Sequence, residues 1–468
     1  MSPERKYGPG VMRYVEEAKK LLARRQDQIE RARKHKFDTI AVHGLYSLEE
    51  SLSLNQGAII EPVYLSTAQS YRDADELEAA LAYLIPTWCY SRIANPTTYY
   101  LQDTVALLEG YRTGCDTSCV VTSSGMSAIA LATDAFVVKQ KPGPEKINFV
   151  SSVQLYGGTF QNFNVRKQRE RGIEFRCVVH PDDIAEWKSV IDEDTRFLYM
   201  EAPSNPQQSF ADIRALADLA HSWEIPFIID ATCATPALMR PIAHGADIVV
   251  HSLTKSMTAG GLTVGGAIVS RKPIVTRVKN DNSLFKESFA EYVQFLPFRD
   301  QGPCPAPMSA LFTLNDLRTL RSRMDLVSRN CQTVADYLAG HPRVSAVDYL
   351  GLPGFRFHEL AKRYMKLVDS DDGQGNPVNR YGHLMSFVVD GPPESARRVF
   401  DRFKLIFRAT DLGRIKSIAT IPAISTHQQQ GEEARQMAGI PPQMIRLCVG
   451  AEAPEDVIAD LEQALAAL

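Results

Sequence analysis

Residues His251-Ser252-Leu253-Thr254-Lys255-Ser256 follow an apolar run at 246–250 and precede a glycine-containing segment at 258–261. Such a run is typical of a buried strand in a parallel sheet. Lys255 is therefore predicted just beyond a strand end, and in such sheets ligands bind at the carboxyl edge. A lysine in this place is more often a solvated surface charge, so the rest of the chain has to decide between the two interpretations.

An amine flanked by hydroxyl groups fits the needs of pyridoxal phosphate (PLP). The lysine can form a Schiff base with the cofactor, and the hydroxyls of Ser252 and Thr254, together with backbone N–H groups, can hold its phosphate. This hypothesis requires three further features, which are an acid for the pyridine nitrogen, a phosphate-binding turn and an aromatic ring that stacks on the cofactor.

The composition is that of an ordinary globular protein. Of the 468 residues, 44% are hydrophobic and 23% are charged, which is enough for two or three domains with their own cores. The formal net charge of -3 gives no reason to expect nucleic acid as a partner. No apolar run approaches the ~18 residues that span a bilayer, so we expect no membrane association.

The N-terminus and the cysteines indicate a cytoplasmic protein. Residues 1–6 lack the apolar segment of a secretory signal, and the eight cysteines are scattered without a CxxC pair. Free thiols in a reducing compartment are therefore expected. Because no cluster of Cys and His residues is visible, we expect no metal site.

Residues 9–36 have the pattern of a long amphipathic helix. Apolar residues recur at helical spacing from Val11 to Ile29, and basic residues outnumber acidic ones. We interpret this segment as a helix that packs on the body of the protein or on a second subunit. A mitochondrial transit peptide is the alternative, but Glu16 and Asp27 lie in the segment and such peptides are poor in acids.

From about residue 115, short apolar runs alternate with helical stretches. This alternation predicts an α/β fold in which helices cover both faces of a mostly parallel sheet. The predicted strands of this larger part are residues 119–122, 147–150, 174–179, 197–201, 227–230, 248–251 and 265–270.

A segment rich in turn residues at 299–305 separates the larger part from a smaller α+β part. We therefore divide the chain into an N-terminal helix and arm (1–60), a large cofactor-binding domain (61–300) and a C-terminal domain (301–468). The predicted elements of the last domain are a helix at 306–338, strands at 344–349, 383–389 and 444–449, and a polar loop at 369–379.

The three features that the cofactor hypothesis requires are all present. Asp230 ends the apolar run 227–230 and can face the pyridine nitrogen, although a helix-capping role is an equal alternative. Gly125 and Met126 lie in a turn between a strand and a helix, where free N–H groups can bind a phosphate. Tyr156 precedes two glycines and can stack on the cofactor ring, or it can be a loop tyrosine that covers the core.

Two more residues indicate a binding site for a substrate. Asn205 lies in the segment 201–206, which two prolines stiffen directly after a predicted strand. Arg446 lies inside an apolar strand, where burial of an unpaired charge is costly. A substrate carboxylate could pair with it through two hydrogen bonds, and a structural ion pair is the alternative.

In this order, the motifs resemble the Cys/Met-metabolism family of PLP enzymes, which includes cystathionine γ-synthases, O-acylhomoserine sulfhydrylases, cystathionine lyases and methionine γ-lyases. The resemblance extends from about residue 37 to the C-terminus. Its most specific part is Tyr90-Ser91-Arg92-Ile93-Ala94-Asn95-Pro96-Thr97, and Glu61-Pro62-Val63-Tyr64 belongs to it as well. It implies a type I PLP-dependent transferase fold and a homotetramer in which two subunits complete each site.

The resemblance also implies a role for each motif residue. Lys255 looks like the Schiff-base lysine and proton carrier, Asp230 like the pyridine partner and Tyr156 like the stacking ring, and these three would be the catalytic residues. The groups that would bind the cofactor phosphate are the Gly125 and Met126 amides, the Ser252 and Thr254 hydroxyls, and Tyr90 and Arg92 of a neighbouring subunit. Those expected at the substrate or the oxygen side of the cofactor are Arg446, Asn205, Thr410 and Asp411.

The resemblance favours γ-replacement on an O-acylated homoserine with a thiol or sulfide as the nucleophile. Position 158 is Gly, where methionine γ-lyases carry a cysteine, which disfavours that activity. The segment 409–417 departs from the family pattern, because Asp411 replaces a serine, Arg414 a glycine and Lys416 a glutamate. A cystathionine-type lyase, or a PLP-binding protein without turnover, are the alternatives.

Overall fold

The computed structural model describes residues 6–86 and 88–468. Most of the N-terminal stretch in which we expected no secretory signal, residues 1–5, lies outside the described residues. No helix in the described part of the chain is both long and apolar enough to cross a membrane.

The secondary structure of the described residues consists of α-helices and strands, with short π- and 3-10 segments between them. The α-helices are α1 (Pro9–Ala32), α2 (Phe37–His43), α3 (Leu48–Leu54), α4 (Ala74–Leu81), α5 (Pro96–Glu109), α6 (Gly125–Asp134), α7 (Gly157–Gln161), α8 (Ile184–Ser189), α9 (Ile213–Ser222), α10 (Thr235–Leu238), α11 (Leu284–Glu287), α12 (Phe289–Val293), α13 (Arg299–Gln301), α14 (Pro307–Leu317), α15 (Leu320–Ala339), α16 (His358–Tyr364), α17 (Pro393–Arg402), α18 (Glu432–Met437) and α19 (Pro454–Leu465). The strands are β1 (Asp116–Thr122), β2 (Asn148–Ser152), β3 (Glu174–Val178), β4 (Thr195–Glu201), β5 (Phe227–Asp230), β6 (Ile248–His251), β7 (Gly266–Lys272), β8 (Val344–Asp348), β9 (Lys366–Asp371), β10 (Pro377–Asn379), β11 (Leu384–Val389), β12 (Phe407–Arg408), β13 (Ile418–Thr420) and β14 (Met444–Cys448).

The large sheet has the strand order β1-β7-β6-β5-β4-β2-β3. All neighbours pair in parallel except β7, which is antiparallel to both β1 and β6. All seven predicted strands are present, and β5 and β6 have the predicted bounds. The predicted α/β fold with a mostly parallel central sheet is thus confirmed.

Alternate residues of the central strands enter the two hydrophobic cores on opposite faces of this sheet. In β4, Leu198 and Met200 belong to one core, and Phe197 and Tyr199 belong to the other. The alternation follows from the two-residue period of a strand. Because both faces are apolar, the polar ends of these strands are the places where a site can form.

The C-terminal part forms a five-stranded sheet in the order β12-β13-β14-β11-β8. Its apolar residues pack with those of α15, α17 and α19 into a core of their own. β14 pairs with β11 and β13, so Arg446 lies between Ser386 and Thr420 on the neighbouring strands. The small α+β part was predicted, whereas the short strands β12 and β13 were not. The domain limits at 60 and 300 remain our proposal.

Three sequence predictions need correction. The helix predicted at 306–338 is two helices, because the chain turns at Thr319, whose N–H bonds to Asp316 O. The predicted polar loop 369–379 contains the hairpin β9–β10, which is anchored where Asp369 accepts hydrogen bonds from the Phe37 amide and the Tyr111 hydroxyl.

The third correction concerns the N-terminal helix, which ends at Ala32 instead of residue 36. The chain bends there, and α2 begins at Phe37, whose side chain is fully buried in the large core. The helix α1 packs on the chain's own α4 through Val11, Tyr14 and Ala79. An ion pair of 2.5 Å between Arg25 and Asp103 ties it to α5.

A cluster of phenylalanines fills the face of the sheet behind β2. The ring of Phe149 lies 4.8 Å from Phe163, 4.8 Å from Phe197 and 5.3 Å from Phe175, measured between ring centroids. We expect Phe149→Ala to destabilise the protein by about 3–5 kcal/mol because it leaves a cavity in this cluster. The measurement is the thermal unfolding midpoint. Phe312→Ala, at a ring that is 38% exposed, is the control, and equal losses for both variants would contradict the packing described.

Candidate active site

A cavity of about 230 Å³ lies at the carboxyl edge of the large sheet, where it meets the C-terminal part. Residues from both parts of the chain line it. The predicted site residues among them are Gly125, Met126, Tyr156, Asn205, Asp230, Ser252, Thr254, Lys255, Thr410 and Arg446.

Asp230 lies at the end of β5 and is 9% exposed. Its Oδ1 accepts hydrogen bonds from the Thr232 amide at 2.9 Å and the Thr232 hydroxyl at 2.5 Å. Burial raises the pKa of Asp230, although the two bonds from Thr232 oppose this shift. Thr232 also accepts a hydrogen bond of 2.8 Å from the Ser252 amide. It therefore links the acid to the segment that carries Lys255.

Glu201 ends the neighbouring strand β4 and lies directly opposite Asp230 in the register. It is also buried, and it accepts hydrogen bonds from the Tyr156 amide at 2.5 Å and from the Asn205 amide at 3.4 Å. Burial and the charge of Asp230 raise the pKa of Glu201 well above its ordinary value. Two buried acids side by side favour a cation in the adjacent space.

That cation is not supplied by the described protein residues, since none of their ion pairs involves Asp230 or Glu201. The protonated ring nitrogen of PLP would supply it. The two acids at the edge of the large sheet therefore fit the positive charge of this cofactor.

The helix α6 begins at the cavity and presents unpaired donors to it. Ser124 caps the helix by accepting from the Ser127 amide at 3.1 Å, which leaves the Gly125 and Met126 amides without an acceptor among the described residues. A Cβ atom at Gly125 would lie 2.7 Å from Ser252 Cβ, so only glycine permits this close approach. Free amides at a helix start suit a phosphate group.

The two predicted hydroxyls differ in their surroundings. The Thr254 hydroxyl already donates to Gly265 O at 3.2 Å and accepts from the Gly265 amide at 3.0 Å. The Ser252 hydroxyl has no hydrogen-bond partner among the described residues. Ser252 is therefore the more available of the two for a phosphate.

Tyr156 precedes α7 and exposes 39% of its surface. A Cβ atom at Gly158 would lie 2.6 Å from the Tyr156 ring and 3.0 Å from Met126 Sδ. Glycine at 158 therefore leaves room for the Tyr156 ring at the place where it lines the cavity.

Arg446 is fully buried in β14. Its guanidinium donates to Asn205 Oδ1 at 3.2 Å and to the main-chain oxygens of Thr410 at 3.2 Å and Asp411 at 2.7 Å. Its Nε has no partner, and no carboxylate of the described chain pairs with it. A buried guanidinium without a counter-ion fits a carboxylate ligand, so the alternative of a structural ion pair is not supported.

Lys255 contacts the C-terminal part directly. Its Nζ lies 2.7 Å from Asp411 Oδ1, and Arg414 Nε lies 2.6 Å from Asp411 Oδ2. Burial opposes ionisation of Asp411, but the hydrogen bond and charge of Lys255, together with hydrogen bonds from the Leu412 amide and Arg414, lower its pKa. Asp411 was expected near a substrate, and the structure places it on the lysine.

Tyr90 and Arg92 do not join the cavity formed by this chain. Tyr90 is 45% exposed, the Arg92 guanidinium lies 5.5 Å from the Tyr90 ring centroid, and Arg92 donates to the main-chain oxygen of Arg299. Their expected contact with the phosphate in a neighbouring subunit stays a prediction.

Comparison with known proteins identifies the family. The family model of Cys/Met metabolism PLP-dependent enzymes matches residues 38–466. The chain belongs to this family. It is therefore an enzyme, and its cofactor is pyridoxal phosphate, as predicted from the Lys255 motif and the residues around it.

Relatives in this family carry out different reactions. The chain is similar to a homocysteine synthase of Schizosaccharomyces pombe, at 33% identity over 92% of this chain and 98% of the relative. It is equally similar to an L-methionine γ-lyase of Pseudomonas deceptionensis, at 33% identity over 93% of this chain and 99% of the relative.

Solved structures show the same fold. A putative O-acetylhomoserine (thiol)-lyase of Campylobacter jejuni superposes with a TM-score of 0.80 at 32% identity, covering 92% of this chain and 100% of that one. That structure contains a lysine joined to the cofactor as pyridoxyl-lysine phosphate.

Sequence reasoning missed three residues of the site. Thr232 and Glu201 were not predicted as site residues, and Arg414 was predicted only as a departure from the family pattern. An acid or hydroxyl at the end of a strand next to Asp230 was the available signal for the first two. For Arg414 the only signal was its spacing of three residues from Asp411, because its other partners are backbone oxygens distant in sequence.

His427 contacts the backbone of Leu155, the residue before Tyr156. It is 1% exposed, its Nε2 lies 3.1 Å from Leu155 O, and burial lowers its pKa to about 4 although the Leu155 bond opposes this shift. The folded protein therefore keeps His427 neutral, whereas the unfolded chain takes up a proton below its ordinary pKa of about 6.5.

We expect stability to fall as the pH decreases from 6.5 towards 4, by up to about 3 kcal/mol from this residue. The measurement is the thermal unfolding midpoint between pH 7 and pH 5. His427→Gln should lose part of this pH dependence. A variant that loses as much stability on acidification as the wild type would show that His427 is not responsible.

Proposed function

We propose that this enzyme replaces the acyl group of an O-acylated homoserine with a thiol or sulfide, in the manner of an O-acylhomoserine sulfhydrylase or a cystathionine γ-synthase. The observation that carries the choice of replacement is the crowding at Gly158. The cysteine that methionine γ-lyases have at this position would need a Cβ only 2.6 Å from the Tyr156 ring. A homocysteine synthase is among the relatives, which is compatible with this choice, although its identity of 33% is equalled by that of a methionine γ-lyase.

The residues of the cavity would hold both cofactor and substrate. The amides of Gly125 and Met126 and the Ser252 hydroxyl would bind the phosphate, Asp230 would pair with the ring nitrogen, and Tyr156 would stack on the ring. Arg446 binds the substrate carboxylate, and Asn205 orients the guanidinium through its 3.2 Å contact.

Bound PLP supplies an electron sink for the electron pair that remains when a proton leaves the α-carbon. Lys255 Nζ takes that proton and carries it, because it is an amine on a flexible side chain close to the cavity centre. Once it has given that proton up to the bound cofactor, Lys255 would take a proton from the β-carbon while the acyl group leaves the γ-carbon as a carboxylate. The sulfur nucleophile, having lost its own proton, would then bond to the γ-carbon, and Lys255 would return one proton to the β-carbon and one to the α-carbon. Asp230, buried beside Glu201, holds the positive charge of the ring nitrogen in place throughout.

A lyase is the second candidate, since a methionine γ-lyase is equally similar in sequence. After the group on the γ-carbon has left, a lyase would release the remaining carbon skeleton as a 2-oxo acid and ammonia. A γ-replacement enzyme would instead bond that skeleton to sulfur. The pocket residues named above would serve both outcomes, so the two functions differ in products and not in cofactor chemistry.

The products decide between these functions. We expect O-acetyl- or O-succinylhomoserine to give a thioether or thiol product with cysteine or sulfide, and little 2-oxobutanoate without them. The measurement is chromatography of both products. Lys255→Ala should lose at least ~10³-fold in turnover because the proton carrier is gone, whereas Lys272→Ala, at a half-buried lysine paired with Glu291, should not. Fast release of 2-oxobutanoate from cystathionine or methionine would establish the lyase instead.

We further propose a cytoplasmic homotetramer in which Tyr90 and Arg92 reach the phosphate of a neighbouring subunit. Both side chains lie outside the cavity of their own chain, and Arg92 carries a charge that suits a phosphate.

Mixing two inactive variants tests this arrangement. Each shared site takes Lys255 from one subunit and Arg92 from the other, so a dimer that contains one subunit of each variant has one intact site. Re-assembly of a 1:1 mixture of Lys255→Ala and Arg92→Ala should therefore make about a quarter of all sites intact. The measurement is the activity of the mixture relative to each variant alone. No recovery after confirmed subunit exchange would contradict sharing of the site by these residues.

A further inference from the structure

The departure of the segment 409–417 from the family pattern creates a charged cluster on Lys255. A serine, which the family usually has at position 411, would offer a neutral hydroxyl. Asp411 instead places a carboxylate oxygen 2.7 Å from Lys255 Nζ. Both side chains are partly shielded, with 25% of Lys255 and 32% of Asp411 exposed.

Arg414 fixes the position of this carboxylate. Its Nε donates to Asp411 Oδ2 at 2.6 Å, while its Nη1 donates to the main-chain oxygens of Thr254 at 2.5 Å and Thr258 at 2.8 Å. Thr254 and Thr258 flank Lys255 in the chain. The guanidinium therefore ties the carboxylate to the segment that carries the lysine.

The backbone around the pair is packed without spare room. Gly413 has a φ of +84°, and a Cβ there would lie 2.5 Å from Ser256 N. Gly261 has a φ of +72°, and a Cβ there would lie 3.3 Å from Arg414 Nε. Both glycines permit the loop to lie directly on the lysine segment, and a residue with a side chain would strain the backbone at either place.

We propose that Asp411 is a positioning residue that holds the nitrogen of Lys255 at the cavity through their 2.7 Å contact, and that Arg414 anchors the carboxylate there. The inference rests on the proposed function, in which Lys255 carries the proton. A fixed negative charge beside the nitrogen stabilises its protonated form. Asp411 therefore acts on the lysine and is not a ligand of the substrate.

Other charged and titratable groups surround the pair from each neighbouring element. Arg446 approaches from β14 and donates to the main-chain oxygen of Asp411 at 2.7 Å, not to its carboxylate. The sheet and the loop before α7 contribute Asp230, Glu201 and Tyr156 to the same cavity. Among the described residues, Asp411 is the only carboxylate within ion-pair distance of Lys255.

The test is a pH titration of the visible absorbance of the holo-protein, which reports the protonation of the cofactor-bound lysine nitrogen. Asp411→Asn and Asp411→Ser remove the negative charge, so the midpoint should move to lower pH by about one unit. Glu291→Gln is the matched control, because Glu291 pairs with Lys272 at 2.6 Å with similar exposure but outside the cavity. Its midpoint should equal that of the wild type.

Two other outcomes would refute the role of Asp411, and a third would refute the proposed function. An unchanged midpoint in both Asp411 variants, with a raised KM, would make Asp411 a substrate ligand and refute the inference. Loss of the visible band in both variants would refute it as well, since a positioning role predicts that the cofactor stays bound. A wild-type protein without any such band would instead refute the proposed function.

Discussion

The pocket depends on one constraint, which is that its buried acids and its buried guanidinium lack a counter-ion among the residues that the structure describes. On the sheet side, Asp230 and Glu201 lie next to each other at the ends of two parallel strands. On the opposite side, Arg446 is fully buried without a carboxylate of the described chain beside it. A ligand of opposite charge would stabilise the ionised form of each of these groups. An aromatic cation with a phosphate, and a substrate with a carboxylate, are the two ligands whose charges match.

The fold was predictable because its strands are buried on both faces. The apolar runs that became β5 and β6 are continuous and end abruptly at Asp230 and His251, so their bounds were predicted to the residue. The break between α14 and α15 was not, because both flanks have helical periodicity. What ends the first helix is a turn at Thr319, close to the Arg318–Glu61 ion pair, and that contact joins residues far apart in the sequence.

The site was predictable wherever one residue type has one evident chemical use. Asp230 and Arg446 were out of place in apolar runs, Lys255 lay among hydroxyl residues just beyond one, and the structure brings all three to one cavity. The residues that hold these three in place could not be predicted in the same way. Thr232 and Arg414 act through backbone groups of other segments, and only the folded chain shows which segments meet. The loop that most departs from the family pattern thus proved to contact the lysine itself.

The central claim is that the cavity binds PLP through Lys255. Borohydride reduction of the holo-protein, followed by peptide mapping by mass spectrometry, tests it most directly because reduction makes the bond to the cofactor permanent. The account predicts a pyridoxyl-phosphate group on the peptide that contains Lys255 and on no other lysine. A label on Lys272, on any other lysine, or on none, would contradict it.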